Sequence, residues 1–283
     1  MKIDAYLRRI GLATRPEPTL AGLTALHRAH LRAVPYEDLD VQLGRQVTTD
    51  IPAIYDKIVT HRRGGWCYEM NGILGWALGE LGFDVTRATG AVMRVAMGTM
   101  AEGNHLVLRV VLPEGLYLAD VGFGDGPLEP IRVTEGTFES AGFGFGLARA
   151  DGDWWRMTNH PSGGAPSFDF NLGRADEDQL AGVCQALQTS EQSPFVQNAV
   201  VQRHVPGGLA ILRGRVLRRL APHGHTDHLI AGAGELVDTL ARVFDLDLPE
   251  AAALWPKIVA RHEAVMSGRV PAGPMGPPVP ENG

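Results

Sequence analysis

Apolar residues recur at helical spacing through the first 83 residues. Ile3, Tyr6, Leu7 and Ile10 form one stripe, closed by Gly11. A second pattern runs over 19–34 and stops at Pro35. A third begins near Asp50 and Pro52 and puts Ile51, Ile54, Tyr55 and Ile58 on one face. Aspartate caps a helix N-terminus well, and proline is tolerated in the first turn. A fourth starts at about Cys67, with Met70, Leu74, Ala77, Leu78 and Leu81 as its stripe and Gly82 as its stop.

The texture changes at Thr86. The stretches ATGAVMRV, HLVLRVVL, LYLADVGFG and DWWRMT read as strands, separated by turn residues such as Pro113-Glu114-Gly115 and Asp151-Gly152-Asp153. Helical spacing returns over 176–189, a strand pattern over 199–203 and 209–220, and helices near 235–244 and 249–266. The segment 269–283 is rich in Pro and Gly and reads as a flexible tail. The order predicts an α+β fold: a helical bundle, then a β-barrel or sandwich, then a smaller α/β unit.

At 283 residues and 45% hydrophobic content, the chain can bury a sizeable core. A net charge of −6 argues against nucleic acid as the main partner, since phosphate binding needs a basic surface. No apolar run approaches bilayer length, and the N-terminal stripe lacks the unbroken apolar core of a signal peptide. Two cysteines cannot make a disulfide framework. The expectation is a cytoplasmic protein with reduced thiols and no membrane or nucleic-acid partner.

In RRGGWCYEMNG, residues 62–72, Cys67 opens the fourth helix behind Gly64 and Gly65. Unpaired N–H groups at a helix start carry partial positive charge, which lowers a thiol pKa. The glycines allow a tight turn and close approach of a ligand. Most lone cysteines are inert core residues, but this setting favours a reactive one. A nucleophilic cysteine needs a base, and the base needs an orienter. His105 opens one strand and Asp120 ends the next, although core histidines and turn aspartates are the commoner roles. With 113–115 as a three-residue hairpin loop, Leu112 faces Leu116 and Asp120 faces Leu108. The Asp120 side chain then points away from the His105 face. A bulge or another loop length would bring them together. Spacing alone does not derive a triad.

Four motifs in order carry a resemblance that runs end to end. VPYEDLDVQLG at 34–44 resembles the Val-Pro-Phe-Glu-Asn-Leu segment of arylamine N-acetyltransferases. RRGGWCYEMN resembles their Arg-Gly-Gly-aromatic-Cys-x-Glu-x-Asn segment, and NHLVLRV and ADVGFG resemble the segments that hold their His and Asp. The resemblance implies a helical bundle carrying the nucleophile (1–83), a β-barrel domain with the following interdomain helix (84–190), and an α/β lid with the flexible tail (191–283). It also implies a papain-like Cys-His-Asp core. The implied catalytic residues are Cys67, His105 and Asp120, and the implied substrate-binding residues are Tyr36, Val92, Asn104 and Phe123. Phe195 is a further candidate for the pocket.

The implied reaction is a ping-pong transfer of acetyl from acetyl-coenzyme A, through acetyl-Cys67, to arylamines, hydrazines or N-hydroxyarylamines. Acetyl-coenzyme A is a co-substrate there, no cofactor stays bound, no metal is involved, and the physiological setting is xenobiotic metabolism. Oligomeric state is left open. Tyr36 stands where the family usually has Phe, and Asp38 where it has Asn. Asn104 precedes the histidine where relatives often carry Thr or an apolar residue. These departures bear on acceptor preference and pocket polarity, not on the triad. Arg63 and Glu37 are expected to form a buried ion pair that positions the cysteine loop.

Other readings stand beside this one. An amide synthase with the same triad would release a carrier-bound polyketide as a lactam. HGHTDH at 223–228 matches the H-x-H-x-D-H pattern of metal-dependent hydrolases. A dinuclear site needs further distant ligands, and among histidines only His262 remains downstream, so an exposed turn is the simpler expectation. A silent binding protein would have no use for an activated thiol. Cys184, mid-helix among apolar neighbours, reads as core filling. HPSGGAPSFDF has phosphate-loop glycines but no Lys, and reads as a plain loop.

Overall fold

Asp50 caps its helix as the sequence predicts, and Thr19 caps another. Thr19 Oγ1 accepts from the Gly22 N–H at 3.2 Å, and the Asp50 carboxylate accepts from the Ala53 N–H at 3.1 Å. The computed structural model describes residues 1–273; the part of the expected flexible tail from 274 onward lies outside them. Helices α1 (Ile3–Arg9) and α2 (Leu20–Ala33) lead into a two-residue strand, β1 (Tyr36–Glu37), and a single turn, α3 (Leu39–Gln42). Both are too short to show an apolar period. Then come α4 (Ile51–Tyr55), prolonged by a π-turn at Asp56–Thr60, and α5 (Cys67–Glu80). Met70, Ile73, Leu74, Ala77 and Leu78 of α5 are fully buried, in one core with Tyr6, Leu23, Leu26 and Ile54 and with Leu108 and Val110 of the sheet. Each large apolar side chain there contributes roughly 1.5–3 kcal/mol, so the helix that starts at Cys67 is firmly held.

The next strands are β2 (Asp84–Val92), β3 (His105–Leu112), β4 (Gly115–Ala119), β5 (Ile131–Arg132), β6 (Gly136–Ser140), β7 (Phe143–Arg149), β8 (Trp154–Thr158) and β9 (Ser167–Asn171). A short helix, α6 (Arg94–Met97), interrupts them: Met93 takes φ +62°, so the strand expected to run on to Val95 ends at Val92. The order is β5-β4-β3-β2-β9-β8-β7-β6. The expected barrel is therefore a curled, open half-barrel with β5 and β6 as its edges. Two-residue β5 offers too little backbone to seal a ring. Part of HPSGGAPSFDF, expected to be a loop, is β9, which sits between β2 and β8 with Ser167 through Phe170 all buried.

The β3–β4 hairpin settles the register. Leu112 pairs with Gly115, Val111 with Leu116 and Leu108 with Ala119. The loop is Pro113-Glu114, one residue shorter than expected. Continuing that register sets Asp120 opposite Val107, in phase with His105, because a one-residue shift moves every side chain to the other face.

After α7 (Glu177–Thr189) and α8 (Pro194–Gln197) a second sheet forms from β10 (Val200–Val205), β11 (Gly208–Arg213), β12 (Val216–Ala221) and β13 (Gly224–Leu229). Its order is β1-β10-β11-β12-β13, so the short strand β1 of the helical N-terminal region pairs with the last third of the chain. The single strand expected over 209–220 is a hairpin that turns at Gly214, φ +57°. HGHTDH is not a turn: most of it is the exposed edge strand β13, whose polar residues on both faces hide it from an apolar pattern. Helices α9 (Ala233–Phe244) and α10 (Trp255–Met266), joined through a 3₁₀ turn at Pro249–Leu254, share a core with β10–β12. Among the described residues no helix is long and apolar enough to cross a membrane.

Candidate active site

Cys67 is the first residue of α5, and Glu69 Oε2 accepts from the Trp66 N–H at 3.2 Å. The two glycines before it serve protein packing rather than ligand approach. A Cβ on Gly64 would lie 2.1 Å from the Pro35 carbonyl oxygen, and one on Gly65 would lie 2.7 Å from the Glu69 side chain. The loop is stitched to β1: the Gly65 N–H donates to Pro35 O, and Gly65 O accepts from the Glu37 N–H. Below it lies a buried ionic network. Arg63 Nη2 is 2.7 Å from Glu37, Arg63 Nη1 is 3.0 Å from Asp40, and Lys57 Nζ is 2.8 Å from both Asp40 and Glu69. Burial alone would push Lys57 down, but the three carboxylates Glu69, Glu37 and Asp40 raise it above the ordinary lysine range. The expected Arg63–Glu37 contact is thus part of a larger cluster.

His105 Nε2 and Asp120 Oδ2 are 2.7 Å apart, both residues buried. Asp120 Oδ1 accepts from Asn71 Nδ2 at 2.7 Å and from the Gly122 N–H at 2.8 Å. Burial raises the Asp120 pKa, yet the charge and hydrogen bond of His105 and the donors from Asn71 and Gly122 outweigh it and hold the carboxyl below its usual range. Asn71 lies one helical turn from Cys67. Its Nδ2 also donates to Leu106 O at 2.6 Å, and its Oδ1 accepts from the Val121 N–H at 2.9 Å. One amide thus joins α5, β3 and the loop after β4. On the other side, His27 Nε2 accepts from the Asp120 N–H at 3.2 Å, and His27 Nδ1 donates to Leu128 O at 2.9 Å.

Cys67 Sγ hydrogen-bonds to Asn104 O at 3.8 Å rather than to the His105 ring. Burial pushes the thiol well up, while hydrogen bonds from the backbone N–H groups of Leu106 and Tyr68 work to lower it. The low resting pKa expected from the helix start is therefore reversed, because only 3% of the residue is exposed. Gly122 lies directly over the nucleophile: a Cβ there would sit 2.7 Å from Cys67 Cα.

Cys67 and His105 open onto one cavity of about 180 Å³, and Tyr36, Val92, Asn104, Phe123 and Phe195 all line it. Phe123 and Phe168 set their rings edge-on to His105, at 5.9 and 5.0 Å between centroids. The Asn104 amide is engaged with the backbone of Val92, at 2.7 Å from its N–H and 3.1 Å from its carbonyl oxygen. An apolar cavity walled by a thiol and an imidazole, with a carboxylate behind the imidazole, is equipped for acyl transfer.

Known proteins agree with that chemistry. A family model described as N-acetyltransferase matches residues 19–253. The arylamine N-acetyltransferase of Mycolicibacterium smegmatis is 35% identical over 272 residues, 89% of this chain and 94% of that one. The chain belongs to the arylamine N-acetyltransferase family. A Salmonella typhimurium relative, an arylamine N-acetyltransferase / N-hydroxyarylamine O-acetyltransferase, is 31% identical over 209 residues, 73% of this chain and 74% of that one. The structure of Mycobacterium marinum arylamine N-acetyltransferase in complex with CoA matches with a TM-score of 0.82 and 30% identity, over 92% of this chain and 98% of that one.

Three residues around the site were not singled out from the sequence. Asn71 was part of a quoted motif and stands four residues after Cys67, which is a usable signal. His27 acts across 93 residues of sequence, and Arg213 enters the cavity wall from an unforeseen hairpin. Neither had a local signal. Cys184 is a buried residue of α7, and burial raises its thiol to about 12. In β13, Asp227 pairs with Arg218 at 2.8 Å and His228 with Glu235 at 2.5 Å. No group of three or more His, Cys, Asp or Glu among the described residues is placed to hold a metal ion.

Proposed function

We propose that this protein acetylates arylamines with acetyl-coenzyme A, in a ping-pong cycle through acetyl-Cys67. The observation that carries the reading is the alignment of Asp120, His105 and an aromatic-lined cavity around a single buried thiol. Asp120 holds the His105 Nε2 proton, which leaves Nδ1 free to act as the base. His105 takes the thiol proton as sulfur attacks the acetyl thioester. The Leu106 and Tyr68 N–H groups stabilise the sulfur's negative charge. Coenzyme A leaves as its thiol, taking back a proton from His105. A neutral aromatic amine then attacks the acetyl-cysteine; His105 takes the proton that the amine nitrogen sheds and passes it to the departing Cys67 sulfur.

Tyr36, Val92, Asn104 and Phe123 serve as acceptor-binding residues in this reading, Asn104 through the strand edge it holds in place. An apolar cavity of roughly 150 Å³ accepts benzene, so about 180 Å³ suits a single aromatic ring. That volume is too small for a carrier-bound polyketide and counts against an amide synthase. The Salmonella typhimurium relative, by its name, extends the acceptors to N-hydroxyarylamines, and hydrazines fit the same space. We also infer three units, with bounds 1–83, 84–190 and 191–283, the last acting as a lid over a papain-like core. Reduced thiols and a coenzyme A donor fit a cytoplasmic setting. The test is turnover by Cys67→Ser: loss of acetyl transfer to aniline, with the fold intact by circular dichroism, supports the reading, and wild-type rates would sink it.

A further inference from the structure

A surface cleft of about 410 Å³ is lined by Arg8 and Arg9 of α1, Arg32 of α2, Arg62 of the cysteine loop, Arg203 of β10, and Asp245 just after α9. No residue lines both this cleft and the cavity that holds Cys67. The alternation of β10 separates them: Val200 and Gln202 line the cavity, and Arg203 points to the other face. Five guanidinium groups thus gather around one carboxylate among the described residues, in a chain whose net charge is −6. Arg9 is only 6% exposed, and its donors go to carbonyl oxygens, of Ile58 at 3.0 Å, Ala33 at 2.8 Å, Arg62 at 3.3 Å and Arg63 at 3.4 Å. Arg203 Nε likewise donates to the Arg32 carbonyl at 2.7 Å. Carbonyls satisfy N–H groups but leave the charge without a counter-ion. Burial, together with the Arg62 charge, takes Arg9 down to about 10. The nearby carboxylates are in use: Asp245 pairs with Arg62 at 2.9 Å, and Asp4, one turn before Arg8, pairs with Arg15 at 2.8 Å. The side chains of Arg8 and Arg32 are exposed and make no hydrogen bond or ion pair among the described residues. Arg62 and Asp245 both hold left-handed backbone, φ +54° and +58°, a strained conformation that persists in non-glycine residues only where the surroundings impose it.

We propose that this arginine cleft binds a small polyanion of the phosphate class, at a site separate from the catalytic cavity. Buried charges are normally paired, and Arg9 has no counter-ion. Like charges gathered at one spot repel, and an anion among them removes the repulsion. Phosphate suits the donors. Guanidinium forks bind its oxygens in pairs, and a group with two or more negative charges can face several arginines at once, which a single carboxylate cannot. Because Arg203 faces away from the catalytic cavity, the occupant is a separate phosphate compound and not the phosphates of coenzyme A bound at Cys67.

The experiment titrates inorganic diphosphate into the protein by calorimetry, with and without saturating coenzyme A, at an ionic strength held constant with chloride. The expected result is saturable binding at one site per chain, with a Kd that coenzyme A leaves unchanged. In the double variant R8Q/R32Q that Kd should rise by about tenfold or more, since two guanidinium partners are lost. Both side chains are exposed and unpaired, so the variant keeps its fold, which circular dichroism verifies. Thermal denaturation gives an independent reading, because a ligand that binds only the folded chain raises Tm with its concentration. Diphosphate should raise the Tm of wild type by more than that of R8Q/R32Q. No saturable binding to wild type, or an equal Kd and an equal rise in Tm in the variant, would overturn the proposal. So would binding that disappears when coenzyme A is present, which would place the anion at the donor's own site.

Discussion

His105 Nε2 meets Asp120 Oδ2 at 2.7 Å because the β3–β4 loop has two residues, which puts both side chains on one face of the sheet. The pair fixes which ring nitrogen carries the proton. Asp120→Asn keeps the shape but can present its N–H₂ to the ring and favour the wrong tautomer. Steady-state kinetics should show kcat reduced by roughly 10³–10⁴-fold. A loss under tenfold would mean that the carboxylate does not orient the base.

Asn71 supplies a second prediction. Its amide serves Leu106 O, Asp120 Oδ1 and the Val121 N–H, all buried. Asn71→Ala leaves three groups short of a partner. Chemical denaturation should show a loss of at least about 2–3 kcal/mol, since each orphaned buried group costs about 1–3 kcal/mol. The Asp120 carboxyl should also rise, having lost one of the donors that lower it. Unchanged stability would show that water replaces the amide.

The ionic cluster under the cysteine loop separates buried from exposed pairs. Arg63→Met strands Glu37 and leaves Asp40 to Lys57, and should cost about 3–5 kcal/mol. Arg242 and Asp238, with side chains 74% and 65% exposed, make the control. Arg242→Ala should shift stability by no more than about 0.5 kcal/mol. Similar losses in the two variants would contradict the distinction.

Buried histidines set an acid limit to stability. Burial lowers His27, takes His204 to about 4 and, with the Arg9 and His27 charges, takes His30 to about 3. The unfolded chain binds protons at these residues below about pH 6.5, while the folded sites still resist them. The unfolded state therefore gains more protons, and stability falls as pH drops from about 6.5 toward 4, each group contributing on the order of 1 kcal/mol per pH unit. Denaturation midpoints between pH 7 and 4.5 measure the slope. His204→Phe should flatten it, and an unaltered slope would remove His204 from this account.

The longer helices were legible because each carries its own apolar stripe, and Asp50, Gly11 and Gly82 marked some of their boundaries. Cys67 was legible as a helix start, and the motifs supplied its partners. What sequence could not supply was nonlocal. The His105–Asp120 geometry hinges on a single residue of loop length, which apolar alternation does not encode. His27 and Arg213 reach the site from α2 and β11, through contacts that exist only once the sheets are assembled. The thiol's environment was misjudged for the same reason: the helix start is local, whereas the burial that outweighs it comes from Tyr36, Gly122, Val200 and the rest of the cavity wall. The polar edge strand β13 was hidden because neither face is buried.

The central claim is that Cys67 carries the acetyl group between donor and acceptor. The direct measurement mixes the protein with acetyl-coenzyme A, without acceptor, and records intact and peptide mass spectra. The account predicts one acetyl group, on Cys67 and not on Cys184, discharged by aniline or isoniazid. Folded protein with reduced thiols that takes up no label, or takes it up elsewhere, would contradict it.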